Sequence, residues 1–499
     1  MEQAITMDGA LRMGNLFFLC FAVTLTSWII AEALYNLFFH PLRTFPGPLL
    51  WRAFRLPFVI KAIQGRLAFD MLSIHEQYGP VVRIAPNELA FAHSSAWHDI
   101  MGGKQDFAKW DEYYKVQDRQ ATNIMFAPAE EHAKMRRAAG FGFSDRTLRE
   151  MEPLIQNSIG LLIRRLRDHC KSPEAYGKVD MSAWYNFTTF DLIGNLVMGE
   201  SYHCLENADY HPWVRPIFQV TYISAIMSSL GHYPWFKSTL LRLFRSIISR
   251  KILNHQAYTR AKLAERMKVN RIDLVQAMLD INRDNEVEMD KLVMNASVLI
   301  VAGSETTATV LSGVTYLLLS HPDKLARLTD EVRNAFESED DITVVKVSQL
   351  DYMLACLEET MRLYPPVPIG MPRIVPKGGR IIGGSYVPEN THVAIWHRAL
   401  YRNPAYFTHP TSFCPERFQG DPKFVDDERE VLQPFHVGKR NCIGRSLAYI
   451  EMRLVLARML FNFDMVLNDE SRDWMANQRA YNIWSKPPLH VRLSPRSLN

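Results

Sequence analysis

The residues best suited to chemistry stand together near the C-terminus, in Phe435-His436-Val437-Gly438-Lys439-Arg440-Asn441-Cys442-Ile443-Gly444. Gly438 and Gly444 flank one cysteine in a short polar loop. Glycines let backbone N–H groups come close to the sulfur and to a flat ligand. Such donors, with Lys439 and Arg440 nearby, favour a thiolate over a thiol. After Gly444 the chain turns helical, and a helix N-terminus beside the sulfur adds to that stabilisation. The chemistry on offer is that of a thiolate set against a flat partner. The plain alternative is a buried structural thiol, the usual fate of an isolated cysteine.

Other segments carry charge where apolar periodicity leads one to expect none. Ala302-Gly303-Ser304-Glu305-Thr306-Thr307 lies inside a long apolar helical stretch. An acid and a hydroxyl there need a reason, because burying them is costly. A helix bend, with threonines bonding back to the preceding turn, would be a sufficient one. Glu359-Thr360-Met361-Arg362 puts two opposite charges on one helix face, which is also what a surface ion pair does. Pro415-Glu416-Arg417-Phe418 follows downstream. Gly140-Phe141-Gly142 starts like a dinucleotide-binding loop and lacks its third glycine. There is no Walker loop and no HExxH.

The elements that must position these residues are mostly helical. Apolar residues recur at three and four over 148–169, 240–268, 290–320, 323–336, 347–364 and 446–461. Strand-like stretches are short: 81–84, 381–382 and 392–395. The chain has 499 residues, 47% of them hydrophobic and 22% charged, which excludes a disordered or collagen-like protein. Length alone suggests about three domains. The balance of 57 basic against 53 acidic residues argues neither for nor against a nucleic-acid surface, and no nucleic-acid partner is expected. The six cysteines form no CxxC pair, so neither a zinc site nor a disulfide framework is indicated and a reduced compartment fits.

Met13 to Ala31 carries no charge and nearly reaches across a hydrocarbon core. Arg43, Arg52, Arg55, Lys61 and Arg66 follow it, which by the positive-inside bias puts the downstream chain in the cytosol. Ala31-Glu32-Ala33 resembles a signal-peptide cleavage site, but the apolar run is long and the preceding segment has little positive charge. A retained anchor over 1–39 is the reading adopted. His40-Pro41 to Pro48 cannot continue a helix, so 40–50 is expected to be a stiff hinge before a domain over 51–499.

With these residues in view, the chain resembles the cytochrome P450 family. Its cysteine loop fits the haem-thiolate signature F-x-x-G-x-R-x-C-x-G at every fixed position, a match expected by chance in on the order of 1 in 10,000 such chains. The resemblance implies a mainly α fold with small β-sheets, the cytochrome P450 fold, preceded by one transmembrane helix. It implies haem b, with Cys442 as the axial ligand of the iron and Phe435, Gly438 and Gly444 shaping the loop. Arg440, Arg373, Arg136 and His132 are implied cations for the haem propionates, although many relatives have tryptophan where His132 stands. Ala302 would cross the haem face, Thr306 would hold oxygen and its water there, and Glu305 would relay protons. Glu359, Arg362 and Arg417 would form a buried structural network. Because these motifs serve one cofactor between residues 130 and 444, the domain prior of three gives way to one anchor and one large domain.

The finer resemblance is to filamentous-fungal microsomal P450s of the trichothecene C-15 hydroxylase-like group, through Tyr35 to Leu42, Phe190 to Leu196 and His211-Pro212-Trp213. It implies a monooxygenase of the endoplasmic reticulum membrane, single-pass and facing the cytosol, acting on a lipophilic secondary metabolite such as a terpenoid, polyketide or alkaloid. NADPH would serve through NADPH-cytochrome P450 reductase, with cytochrome b5 as a further partner. Lys104, Lys109, Lys115, Lys439 and Arg440 are candidate docking cations. The substrate pocket would draw on Tyr222, Ile226, Met227, Val301, Val367, Ile369, Ile483 and Trp484, and the 211–250 segment, with Trp235 and Phe236, would lie on the membrane surface. Two rival readings keep the haem: isomerisation, ring closure or desaturation on the same fold, and a non-enzymatic haem-binding membrane protein.

Overall fold

The helix Met289–Leu319 organises the molecule, because its length and apolar composition let it run through the core rather than along its surface. In the computed structural model, which describes residues 2–103, 107–114, 122–172, 177–243, 245–281 and 289–496, the helices Met181–Met198, Asp351–Leu363 and Arg445–Asn462 pack around it. Gly303 makes the first of these contacts possible, since a Cβ there would come within 2.9 Å of Ile193.

Among the described residues, four small sheets flank the helices. The largest has five strands, in the order Val81–Ala85, Glu88–Phe91, His392–Ile395, Arg373–Ile374 and Ala108–Lys109. Glu88–Phe91 pairs in parallel with His392–Ile395, which joins the N-terminal third of the chain to its C-terminal half. A hairpin of Arg479–Tyr481 and Ile483–Ser485 reaches the central helix. The architecture is the mainly helical one with small sheets that the sequence predicts.

Periodicity predicts a helix over 240–268, and the structure is helical over Pro234–Leu243 and Arg245–Arg266, on either side of residue 244, which lies outside the described residues. Periodicity does not reveal Met181–Met198, because nearly every residue of that helix is buried and no polar face alternates with an apolar one.

Among the described residues, two helices are long and apolar enough to cross a membrane: Asn15–Phe39 and Met289–Leu319. Composition does not separate them, but packing does, as the first is 0% buried and the second 72%. The segment after the first is clamped to the large sheet. Arg83 N donates to Pro46 O at 2.7 Å, Arg83 Nη1 donates to Asn36 O at 2.7 Å, and Asn36 Nδ2 donates to Ala53 O at 2.9 Å. A side chain at Gly47 would run into the Arg83 carbonyl. Trp235 and Phe236 are exposed, as are Leu49 and Leu50 beside the clamp.

Candidate active site

Cys442 lies two residues before Gly444, the N-cap of the helix Arg445–Asn462. Its own N–H donates to Phe435 O at 2.8 Å, closing the loop on itself. The Gly444 N–H donates to the sulfur, and Arg136 and Arg445 add positive charge beside it. Cys442 is accessible on one side, yet enough protein surrounds it that burial pushes its thiol up, against those favourable groups. Arg136 and Arg445 are positive charges beside the sulfur that the loop's own sequence does not reveal. A bound metal ion is what deprotonates a thiol in such a setting.

The loop is shaped against distant segments. Gly438 has φ 76°, and a Cβ there would overlap the Met101 carbonyl. Arg440 Nη1 donates to Ala127 O at 3.1 Å. Arg136, on the helix Ala129–Gly140, donates through Nη1 to Asn441 O at 2.7 Å and through Nη2 to Asn441 Oδ1. His132 lies one turn earlier and is buried. Arg373 is buried on the large sheet, with Nη1 3.3 Å from Phe107 O. Phe435 packs at a tilt against Tyr449, with 5.2 Å between ring centres. The donor set fits a haem: one accessible sulfur with a backbone N–H aimed at it, no side chain on either flanking glycine, and guanidinium groups on three separate elements.

The helix Arg445–Asn462 packs across Met289–Leu319, and there Glu451 bonds to Thr307. Burial pushes the Glu451 carboxyl up to about 8, with the Thr307 hydroxyl pulling the other way. On the central helix, Val298, Val301, Ala302 and Thr306 form a half-buried stripe, whereas Glu305 and Thr309 are buried. Thr306 Oγ1 donates back to Ala302 O at 2.6 Å, the helix-bending bond the sequence leaves open as an alternative. Glu305 Oε2 accepts from Lys486 Nζ at 2.8 Å, a partner that sequence reading does not find.

Glu359, Arg362 and Arg417 come together with fully buried side chains. Glu359 Oε2 accepts from Arg362 Nε at 2.7 Å and Arg417 Nε at 3.0 Å, while Oε1 accepts from Arg362 Nη2 and Cys414 N, both at 2.8 Å. Arg362 also reaches the carbonyls of Tyr401, Pro410 and Ser412. Asp427 completes the network on Arg417, and spacing offers no signal for it.

On the substrate side, Ile369 lines a cavity with Tyr113, Ala225, His232, Tyr481 and Asn482. Tyr222 is half-exposed and edge-on to Tyr481 at 4.7 Å. Trp484 is corrected from a pocket residue to a core residue. It stacks on Tyr364 at 4.9 Å and donates to Pro365 O at 2.7 Å. Of the candidate docking cations, Lys104 and Lys115 lie outside the described residues, and Lys109 donates to the Met125 carbonyl.

The cytochrome P450 family pattern matches residues 45–493. A cytochrome P450 monooxygenase of Talaromyces stipitatus is 45% identical, over 94% of this chain and 93% of its own. The trichothecene C-15 hydroxylase of Fusarium sporotrichioides is 41% identical over 94% of this chain and 96% of its own. The averantin hydroxylase of Aspergillus parasiticus is 39% identical over 98% and 99%.

Proposed function

The chain belongs to the cytochrome P450 family, and on that premise we propose roles for the residues of its site. It is a haem-thiolate monooxygenase of the kind that tailors secondary metabolites. Cys442 would hold the haem iron, and His132, Arg136, Arg373 and Arg440 would neutralise the propionates. The observation that carries this assignment is the accessible Cys442 sulfur with the Gly444 N–H donated to it, in a loop tied by Arg136 to the helix Ala129–Gly140.

When bound, haem b activates O2 with electrons that start on NADPH and arrive through a reductase, one oxygen atom entering the substrate and the other leaving as water. The chain's own residues prepare that chemistry. The Gly444 N–H and the N-terminus of Arg445–Asn462 draw negative charge onto the sulfur. The Ala302–Thr306 face presents a hydroxyl that can turn from Ala302 O to hold a water. Glu305 supplies protons to that water. Val301, Ile369 and their apolar neighbours orient a lipophilic substrate. Glu359, Arg362 and Arg417 hold the cysteine-bearing half of the chain against the helix Asp351–Leu363.

We further propose an anchor over 1–39, a hinge over 40–50 and a catalytic domain over 51–499. The anchor is single-pass in the endoplasmic reticulum membrane, with the domain on the cytosolic side. The exposed apolar helix Asn15–Phe39 and the basic residues after it support this reading. Trp235, Phe236, Leu49 and Leu50 are exposed apolar side chains suited to the same membrane surface. NADPH-cytochrome P450 reductase and cytochrome b5 are the proposed electron donors, and the substrate is a terpenoid, polyketide or alkaloid.

The test is the CO difference spectrum of the reduced full-length protein. The wild type is expected to show the thiolate-type Soret band and Cys442→Ala to lose it. A band that persists in the variant defeats the ligand assignment. NADPH-dependent product formation that requires O2 separates monooxygenation from isomerisation on the same fold.

A further inference from the structure

Among the described residues, the ion pair between Glu305 and Lys486 is the one buried charge pair that touches the central helix beside the site. Both side chains are nine-tenths or more buried, at 3% and 4% exposure. Lys486 Nζ lies 2.8 Å from Glu305 Oε2 and 3.0 Å from Thr309 Oγ1. Thr309 is one turn beyond Glu305 and donates its hydroxyl to the Glu305 carbonyl. The three groups form a closed set on a buried face of the helix. Thr306 follows Glu305 by one position, so its side chain leaves the helix about 100° further round, on the half-buried stripe with Ala302.

Lys486 belongs to a rigid stretch. On one side Trp484 stacks on Tyr364 and donates to Pro365 O at 2.7 Å. On the other, Pro487 O accepts from Trp474 Nε1 at 2.8 Å, and Pro487 and Pro488 restrict the backbone. The carboxylate is held less completely. Its Oε1 atom is buried and has no hydrogen-bond partner. A buried polar atom left unpaired is costly and marks a group that gains by moving.

We propose that Lys486 is a positioning residue for proton delivery, a fixed cationic latch that parks the Glu305 carboxylate away from Thr306 and receives it back after each delivery. Glu305 takes a proton from water, leaves Lys486 as the neutral acid, gives the proton up on the Thr306 side and returns as the carboxylate. Lys486 keeps its own protons throughout. The latch rests on the monooxygenase reading and adds to it a residue that directly follows the C-terminal hairpin.

The experiment compares full-length wild type, Lys486→Met, Lys486→Arg, Glu305→Gln and the Lys486→Met/Glu305→Gln pair in membranes with added reductase. The CO band is recorded first, since a wild type without it defeats the monooxygenase reading itself. NADPH consumption and H2O2 release are then measured without added substrate, in H2O and D2O, and melting temperatures are taken. Lys486→Met is expected to keep the band, raise H2O2 per NADPH several-fold and change the D2O effect. Lys486→Arg restores both values. The melting temperature falls in Lys486→Met and recovers in the double variant, because the pair is removed together. This thermal arm stands even where Lys486→Met holds too little haem to assay. A folded Lys486→Met with wild-type peroxide yield and D2O effect overturns the proposal, as does a double variant that melts at the sum of the two single losses.

Discussion

Two buried ion clusters flank the same site and are built in opposite ways. Around Glu359 every polar atom is used. Both carboxylate oxygens accept two bonds, and every N–H of Arg362 meets an oxygen. Around Glu305 one oxygen has one partner and the other has none. A saturated cluster has nothing to gain by moving, because each bond broken leaves a buried charge uncompensated. An unsaturated one stores a reason to move. The contrast separates a group that holds the fold from a group that can carry protons, although both are acids paired with long cations in the same interior.

The largest effect is expected where saturation is broken. Arg362→Ala should cost about 3–5 kcal/mol or more, a large part of a total near 5–15 kcal/mol. The protein should accumulate without a CO band and in aggregates. A soluble Arg362→Ala with normal haem content would break the comparison. Lys486→Met should cost less, about 1–3 kcal/mol, because the carboxyl it leaves can take a proton; urea unfolding of both variants ranks them.

A pH-dependent effect of intermediate size is expected at Glu451. The folded state lifts its carboxyl from 4.5 to about 8, so the folded protein keeps a proton that the unfolded chain releases. The stabilisation is complete below pH 4.5 and is lost as pH rises through about 8. Urea midpoints measured across that window should fall in the wild type and stay flatter in Glu451→Gln. The smallest change in stability belongs to Thr306→Ala, which removes one hydroxyl bond to Ala302 O and should cost about 0.5–1.5 kcal/mol. Its effect on coupling should be much larger, with less product per NADPH. Unaltered coupling would count against Thr306 in proton delivery.

Legibility in the sequence followed distance along the chain. The cysteine loop could be read because Phe435, Gly438, Arg440, Cys442 and Gly444 act within one turn of chain. The Glu359 and Arg362 pair could be read because i,i+3 on a helix is a contact. Asp427 and Lys486 could not, since each meets its partner across many residues and neither spacing nor periodicity constrains it. Part of the charge beside the sulfur was hidden for the same reason. Lys439 and Arg440 are neighbours in sequence, but Arg136 on another helix and Arg445 beyond the loop also bear on the sulfur. The helix Met181–Met198 was hidden because burial on all sides erases the polar face that periodicity needs.

By itself the sequence determined what depends on local geometry: the ligand loop, the acid and hydroxyl on one helix, the apolar N-terminal run and the mainly helical class. Tertiary structure alone decided which of two membrane-length helices is core, that Arg136 comes to bear on Cys442, and that Glu305 answers to a lysine just after the C-terminal hairpin. The reason is physical. Backbone periodicity and i,i+3 or i,i+4 contacts are set by covalent distance, whereas burial and the pairing of buried charges are set by segments that only packing brings together.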